Sequence, residues 1–290
     1  MTLKSTYKYK RILEINDLID QYDAFIFDIW GVFHDGGDLF KGVATLINEL
    51  QKIKIVRIIS NAPRLRTTTA EMLIKSGMNI DPNSLWTSGE IARIMMRDAK
   101  KYLGLNSLTI YQPRRESNLE ILNDLNVKIT DRPEDANLIL LTVFQDMHED
   151  ASKTIESLKK AASLKIPALC ANPDVEVMHM GSIRRCAGYF AKIYNELGGK
   201  IIYSGKPEKL IFEHCFETFD KSKKALMVGD TFSTDIEGAA LFGIDSALVT
   251  SGNVARAIAT LEIKDELEAI NKICSKEKYQ PTHIVRTKKL

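Results

Sequence analysis

The stretch AFIFDIWGVFHDG, Ala24–Gly36, decides how the rest of the chain is read. A short apolar run ends abruptly on a carboxylate, Asp28, and the chain turns at Gly31. A fully apolar run of this length suits a strand buried on both faces, and a charged residue at its end belongs to the loop that follows.

Working outward, the same pattern recurs. KIVRIIS, SLWTS, SLTIY, NLILLTVF, IPALCA, KIIYSG, ALMVGD and SALVTSG are short apolar runs. Between them GVATLINELQK, TTTAEMLIKSG, GEIARIMMRDAKKYLG, DASKTIESLKKAAS, RRCAGYFAKIYNELGG and EKLIFEHCFETF place apolar residues at helical spacing. Several close on Gly, the residue a helix C-terminus prefers in the left-handed conformation. Alternation of this kind predicts parallel sheets covered by helices, an α/β fold. Met95, Met96, Phe190, Tyr194 and Phe216 fall at core positions of the helical pattern.

Composition narrows the function classes. The 290 residues carry 40 basic and 38 acidic side chains, a net charge of +2, and 44% are hydrophobic. That content supports two sizeable cores and gives no field that would favour nucleic acid or an anionic membrane. The local basic excess lies at the ends, at Lys4, Lys8, Lys10 and Arg11 and at Arg286, Lys288 and Lys289. It lacks the interleaved aromatics of a nucleic-acid surface and reads as solvated termini. Cys170, Cys186, Cys215 and Cys274 are widely spaced without a C-x-x-C pair, so reduced, buried thiols are expected rather than zinc or disulfides. No apolar run is long enough to span a bilayer, and the start MTLKSTYKYKR is too polar for a signal peptide, so a cytoplasmic protein is expected.

In an open parallel sheet ligands bind beyond the carboxyl ends of the strands. Four runs deliver polar residues there: Asp28; Ser60 and Asn61; Gly205 and Lys206; Gly229 and Asp230, with Asp235 five positions on. A carboxylate at such a place can serve as a metal ligand, a nucleophile or both. Mg2+ is usually held by one or two carboxylates together with a substrate phosphate. Asp28 and Asp230 would supply those carboxylates, and Asp235 would complete an acidic cluster by binding a metal-bound water or by orienting Lys206. The Ser60 hydroxyl, backbone N–H groups near Asn61 and the Lys206 ammonium would take phosphoryl oxygens.

In this order FDIWGV, IISNAP, SGKPEK and VGDTFSTD resemble the four motifs of the haloacid dehalogenase superfamily. SNAPR, ANPD and YSGKP look like its class IIA branch of nitrophenyl phosphatase-like and nucleotide phosphatase-like enzymes. The resemblance implies a Rossmann-like parallel-sheet core, residues 1–102 and 201–290, with an inserted α/β cap domain at 103–200. It implies a Mg2+-dependent phosphohydrolase of small phosphorylated metabolites, with Asp28 forming an aspartyl-phosphate and Ser60 and Lys206 holding the phosphoryl group. Asp28, Asp230 and Asp235 would bind the metal with the backbone carbonyl of Trp30. Asn61 and Arg64, and in the NPDVEVMHMG loop Asn172, Asp174 and His179, would face the substrate, and the cap is a candidate for homodimer contacts.

Trp30 departs from the pattern. In the family its position normally carries the Asp that acts as general acid and base, a role an indole cannot fill. Positioned proton transfer is worth about 100-fold to 10,000-fold in rate, roughly 3 to 5 kcal/mol of barrier. Surviving turnover should favour leaving groups that depart without protonation, such as aryl or acyl phosphates. His34 and Asp35 are close enough in sequence to be considered as replacements, against ordinary roles in a flap. The alternative function is a phosphate-ligand binding or regulatory protein with impaired turnover.

Overall fold

The computed structural model describes residues 8–114, 119–217, 220 and 223–286. Lys4, Lys288 and Lys289 lie outside the described residues. The strands are β1 (Leu13–Glu14), β2 (Ala24–Phe27), β3 (Ile55–Ser60), β4 (Leu85–Thr87), β5 (Leu108–Tyr111), β6 (Val127–Thr130), β7 (Leu138–Leu141), β8 (Gln145–Asp146), β9 (Ala168–Cys170), β10 (Glu176–His179), β11 (Ser182–Arg185), β12 (Ile201–Tyr203), β13 (Ala225–Gly229), β14 (Asp245–Val249) and β15 (His283–Arg286). They fall into two compact units. The first takes the described residues of Met1–Ile58, Ser76–Asn79 and Thr218–Leu290; the second takes those of Ile59–Lys75 and Ile80–Glu217.

In the first unit the strands pair in parallel in the order β1-β15-β14-β13-β2-β3. The two central strands are the most apolar: every residue of β2 and β13 is buried, as expected where both faces of a sheet are covered. Their register, Phe27 opposite Val228, brings both strands to their carboxyl ends at the same level. From β2 the chain continues to β3 on one side, and from β13 to β14 on the other. The crevice between β2 and β13 is therefore the topological switch point, where ligands bind in open α/β sheets. Helices Val43–Leu50, Glu237–Phe242, Gly252–Ala259 and Glu266–Cys274 belong to this unit. Ile236, Leu248, Val254, Ile270, Cys274 and Ile284 form a core cluster in which two of these helices meet β14 and β15. Of the described basic residues near the ends, Lys8 places its Nζ 5.1 Å from the Tyr9 ring centroid, and Arg286 pairs with Glu266.

The second unit has its own parallel sheet, β12-β9-β7-β5-β6. Helices Ser152–Ser163 and Ala187–Glu196 cover it through Leu158, Ala161, Phe190 and Tyr194 against Ile139, Leu141 and Ala168. A small antiparallel sheet, β10-β11-β8, accompanies it. Here the structure corrects the expectation of a loop through NPDVEVMHMG: its residues Glu176–His179 form β10, and His179 pairs in register with Ser182. The hairpin turns on Met180 and Gly181, both at positive φ, the two-residue turn whose twist matches the strands. The run GEIARIMMRDAKKYLG forms two helices, Ser88–Arg97 and Ala99–Leu103, parted at Asp98, whose side chain caps the second. Met95, Met96, Phe190, Tyr194 and Phe216 are buried as expected. All four cysteines are free and buried, and among the described residues no helix is long and apolar enough to cross a membrane.

Candidate active site

In the first unit Asp28 follows β2 and Asp230 follows β13, so adjacent parallel strands deliver both carboxylates to one crevice. The Asp28 backbone N–H donates to Val228 O at 2.9 Å, which ties its position to β13. Asp235 lies in the π-turn Phe232–Ile236 and folds back, its Oδ2 accepting the Thr231 N–H at 3.1 Å. Asp28, Asp230 and Asp235 are 7%, 3% and 0% exposed, and each offers an oxygen within 4.8 Å of the others. Three buried carboxylates this close repel one another strongly unless a cation or protons compensate them. An all-oxygen acidic set of this kind fits Mg2+.

Glycines make the approach feasible. Gly31 has φ +79°, and a Cβ there would lie 2.2 Å from Asp230 Oδ2. Gly252, φ +57°, would place its Cβ 2.0 Å from the same oxygen. Asp230 Oδ1 accepts from Thr231 Oγ1 at 2.9 Å, and Oδ2 accepts the Asn253 N–H at 2.6 Å. Ser251 Oγ donates to the carbonyl of Gly31 at 2.5 Å.

Trp30 is partly exposed. Its ring meets that of His34 edge-on, with centroids 5.0 Å apart, and the Gly31 N–H donates to the His34 carbonyl at 2.8 Å. His34 Nδ1 accepts the Gly36 N–H at 2.9 Å, which leaves the neutral ring's proton on Nε2. Asp35 is exposed.

In the second unit Asn61 organises the other predicted residues. It follows Ser60 at the end of β3, and its Nδ2 donates to Asp174 Oδ1 at 2.8 Å and to the Lys206 carbonyl at 3.3 Å. Its Oδ1 accepts the Lys206 N–H at 2.8 Å. Asn172 Oδ1 accepts the Asp174 N–H at 3.1 Å, making a turn of the NPD segment. Four predicted residues, Asn61, Asn172, Asp174 and Lys206, thus form one hydrogen-bonded group. Ser60 and Lys206 are 5% and 1% exposed, and Ser60 Oγ accepts the Ala62 N–H at 3.3 Å. Gly205 is required here: a Cβ would lie 2.3 Å from Asn61 Oδ1.

Arg64 and His179 have other contacts. Burial lowers the Arg64 pKa, with Glu120 opposing, and its Nη1 donates to Met72 Sδ at 2.8 Å. His179 meets the Phe144 ring edge-on at 5.6 Å. Thr231, Ser251 and Asn253, together with the Gly31 and Gly252 that make room for Asp230, do not stand among the sequence candidates. The polar tail of SALVTSG, read by the strand-end rule, was the available signal for Ser251 and Gly252.

A family model described as haloacid dehalogenase-like hydrolase matches residues 22–243, which include Asp28, Ser60, Lys206, Asp230 and Asp235, and an overlapping HAD-hydrolase-like model matches residues 203–287. The chain belongs to the haloacid dehalogenase-like hydrolases. A dihydroxyacetone phosphatase from Corynebacterium glutamicum is 22% identical to this hydrolase over 272 residues, covering 91% of this chain and 88% of the relative. Among solved structures, a haloacid dehalogenase-like hydrolase from Brucella suis has a TM-score of 0.75 at 28% identity, covering 85% of this chain and 92% of its own. A thermostable NPPase from Geobacillus stearothermophilus, in a double-mutant form, has a TM-score of 0.66 at 21% identity, covering 91% and 95%. These structures share the α/β fold of this hydrolase.

Proposed function

We propose that this hydrolase is a Mg2+-dependent phosphohydrolase of small phosphorylated metabolites, working through an aspartyl-phosphate. The three buried carboxylates gathered at the end of β2 and β13 carry this reading, because a site so negative is suited to a divalent cation and, with it, to a phosphate dianion. The similarity to a dihydroxyacetone phosphatase supports a small phosphorylated carbonyl or sugar as substrate class.

Asp28, Asp230 and Asp235, with the carbonyl of Trp30, would hold Mg2+. The cation supplies charge compensation for the carboxylates and for the transferring phosphoryl group. A carboxylate oxygen of Asp28 attacks phosphorus; the bond from phosphorus to the ester oxygen breaks, and the leaving oxygen departs with its electron pair and takes a proton from water to become the alcohol. Water then cleaves the aspartyl-phosphate, releasing inorganic phosphate and restoring Asp28. Ser60 and Lys206 hold phosphoryl oxygens, and residues 103–200 act as the substrate-selecting cap, contributing Asn172, Asp174 and His179, with Asn61 and Arg64 beside the second motif. The free cysteines suit a reducing, cytoplasmic setting, and homodimerisation through the cap is part of the same proposal.

Trp30 favours a second reading, a phosphate-binding or regulatory protein of low turnover, since its indole cannot exchange a proton usefully. A screen of phosphorylated metabolites and aryl phosphates with added Mg2+, using Asp28→Asn as the blank, tests the first reading. Turnover absent from the blank, with acid-quenched label mapping to Asp28, is expected; label on another residue overturns the mechanism. Trp30→Asp separates the two readings. A gain on alkyl phosphates of about 100-fold or more with unchanged Mg2+ binding is expected if only proton transfer is missing.

A further inference from the structure

Asp230 is gripped from two sides, by its neighbour Thr231 and by Asn253. Thr231 Oγ1 donates to Oδ1 at 2.9 Å, and the Asn253 backbone N–H donates to Oδ2 at 2.6 Å. Each takes one of the two lone pairs on its oxygen. The Asn253 side chain then reaches back, its Nδ2 donating to Thr231 Oγ1 at 2.7 Å. A hydroxyl that accepts in a fixed direction must send its own proton elsewhere, and here the direction left is toward Asp230. Arg256 Nη1 closes the outer end, donating to Asn253 Oδ1 at 3.3 Å. From the same turn Ser251 Oγ donates to the Gly31 carbonyl at 2.5 Å, three residues beyond Asp28. The segment Ser251–Asn253 therefore clips the loop after Asp28 and the carboxylate of Asp230 into one geometry.

Asn is the side chain this place demands. It must donate to Thr231 and accept from Arg256 at once; Asp lacks the donor, and Ala lacks both groups. Outer partners that orient a ligating carboxylate set affinity by removing the freedom the ligand would otherwise lose on binding. Resting on the Mg2+ reading of the acidic cluster, we propose that Asn253, acting through Thr231, is a positioning residue that sets the divalent-cation affinity of this site.

Calorimetric titration of the full-length chain with MgCl2, free of substrate, tests this directly. Asn253→Ala and Thr231→Val are each expected to weaken Mg2+ binding by about 10-fold to 100-fold, and Thr231→Ser to restore it. The double variant should lose little more than either single one, because both act through a single hydroxyl. Under saturating Mg2+ the turnover number should recover, so the loss reads as a higher Mg2+ requirement. Unchanged affinity in both Asn253→Ala and Thr231→Val overturns the proposal; if Asn253→Ala fails to fold, Thr231→Val against Thr231→Ser decides. Failure of the metal reading looks different: a wild-type chain that binds no Mg2+, or binds it equally after Asp230→Asn, overturns both.

Discussion

The two groups of candidate residues are assembled by opposite means. In the first unit the acidic group is close-packed: Asp230 and Asp235 lie on one short segment, Gly31 and Gly252 make way for Asp230, Gly229 makes way for Asp235, and a turn some 20 residues on supplies a donor. Like charges are crowded there, an arrangement that a cation would compensate. In the second unit one amide, Asn61, joins residues 113 and 145 positions away. The members of that group bond to one another. The first should thus be sensitive to volume and indifferent to most distant changes, and the second sensitive to the loss of a single amide.

Three substitutions or conditions sharpen that contrast. The largest effect is expected from Gly31→Ala, because a methyl would overlap Asp230 Oδ2 and the backbone sits at positive φ. Mg2+ affinity and turnover should both fall by about 100-fold or more, read by calorimetry and by release of inorganic phosphate; retained Mg2+ binding would show that room for Asp230 is not what Gly31 supplies. Asn61→Leu comes next. It strands the Lys206 N–H and one Asp174 oxygen, and each buried group left unpaired costs about 1–3 kcal/mol. The urea transition of the second unit should move to lower concentration while Mg2+ binding survives.

The smallest effect concerns pH. Burial lowers the His283 pKa, with Asp245 partly opposing, and its Nε2 lies 2.8 Å from the Tyr22 hydroxyl, which also donates to Asp245. Because the folded value lies below the unfolded one, the unfolded chain binds more protons in between. This contribution is full above the unfolded value of 6.5 and is lost as pH falls through the folded one. The urea midpoint should drop between about pH 7.5 and 5.5, the side of the ordinary histidine range where this titration acts, and drop less in His283→Gln.

The fold was legible because its core strands are continuous apolar runs: AFIF and ALMVG are buried at every position. Asp28, Asp230, Ser60 and Lys206 were legible for a related reason, since a polar residue directly after such a run marks a strand end. β15, HIVR, escaped notice because two buried residues between polar ones make a weak pattern. β10 and β11 escaped because their faces are only half-buried, so EVMH and SIRR carry no apolar run. Asn253 was hidden differently. Its backbone N–H, which any residue but proline offers, donates to Asp230 at 2.6 Å, and its side chain acts through a neighbour rather than on the carboxylate itself.

The buried thiols have a practical consequence. Burial pushes the Cys170 and Cys274 pKa values up to about 12, so at neutral pH almost none of either is the reactive thiolate. Cys170 lies on β9 in the second unit and Cys274 ends the last helix of the first. An alkylating reagent can reach either only after its own surroundings open. Each unit therefore carries an internal clock, and the two labelling rates, resolved by peptide mass, would time the breathing of the acidic and the amide halves separately.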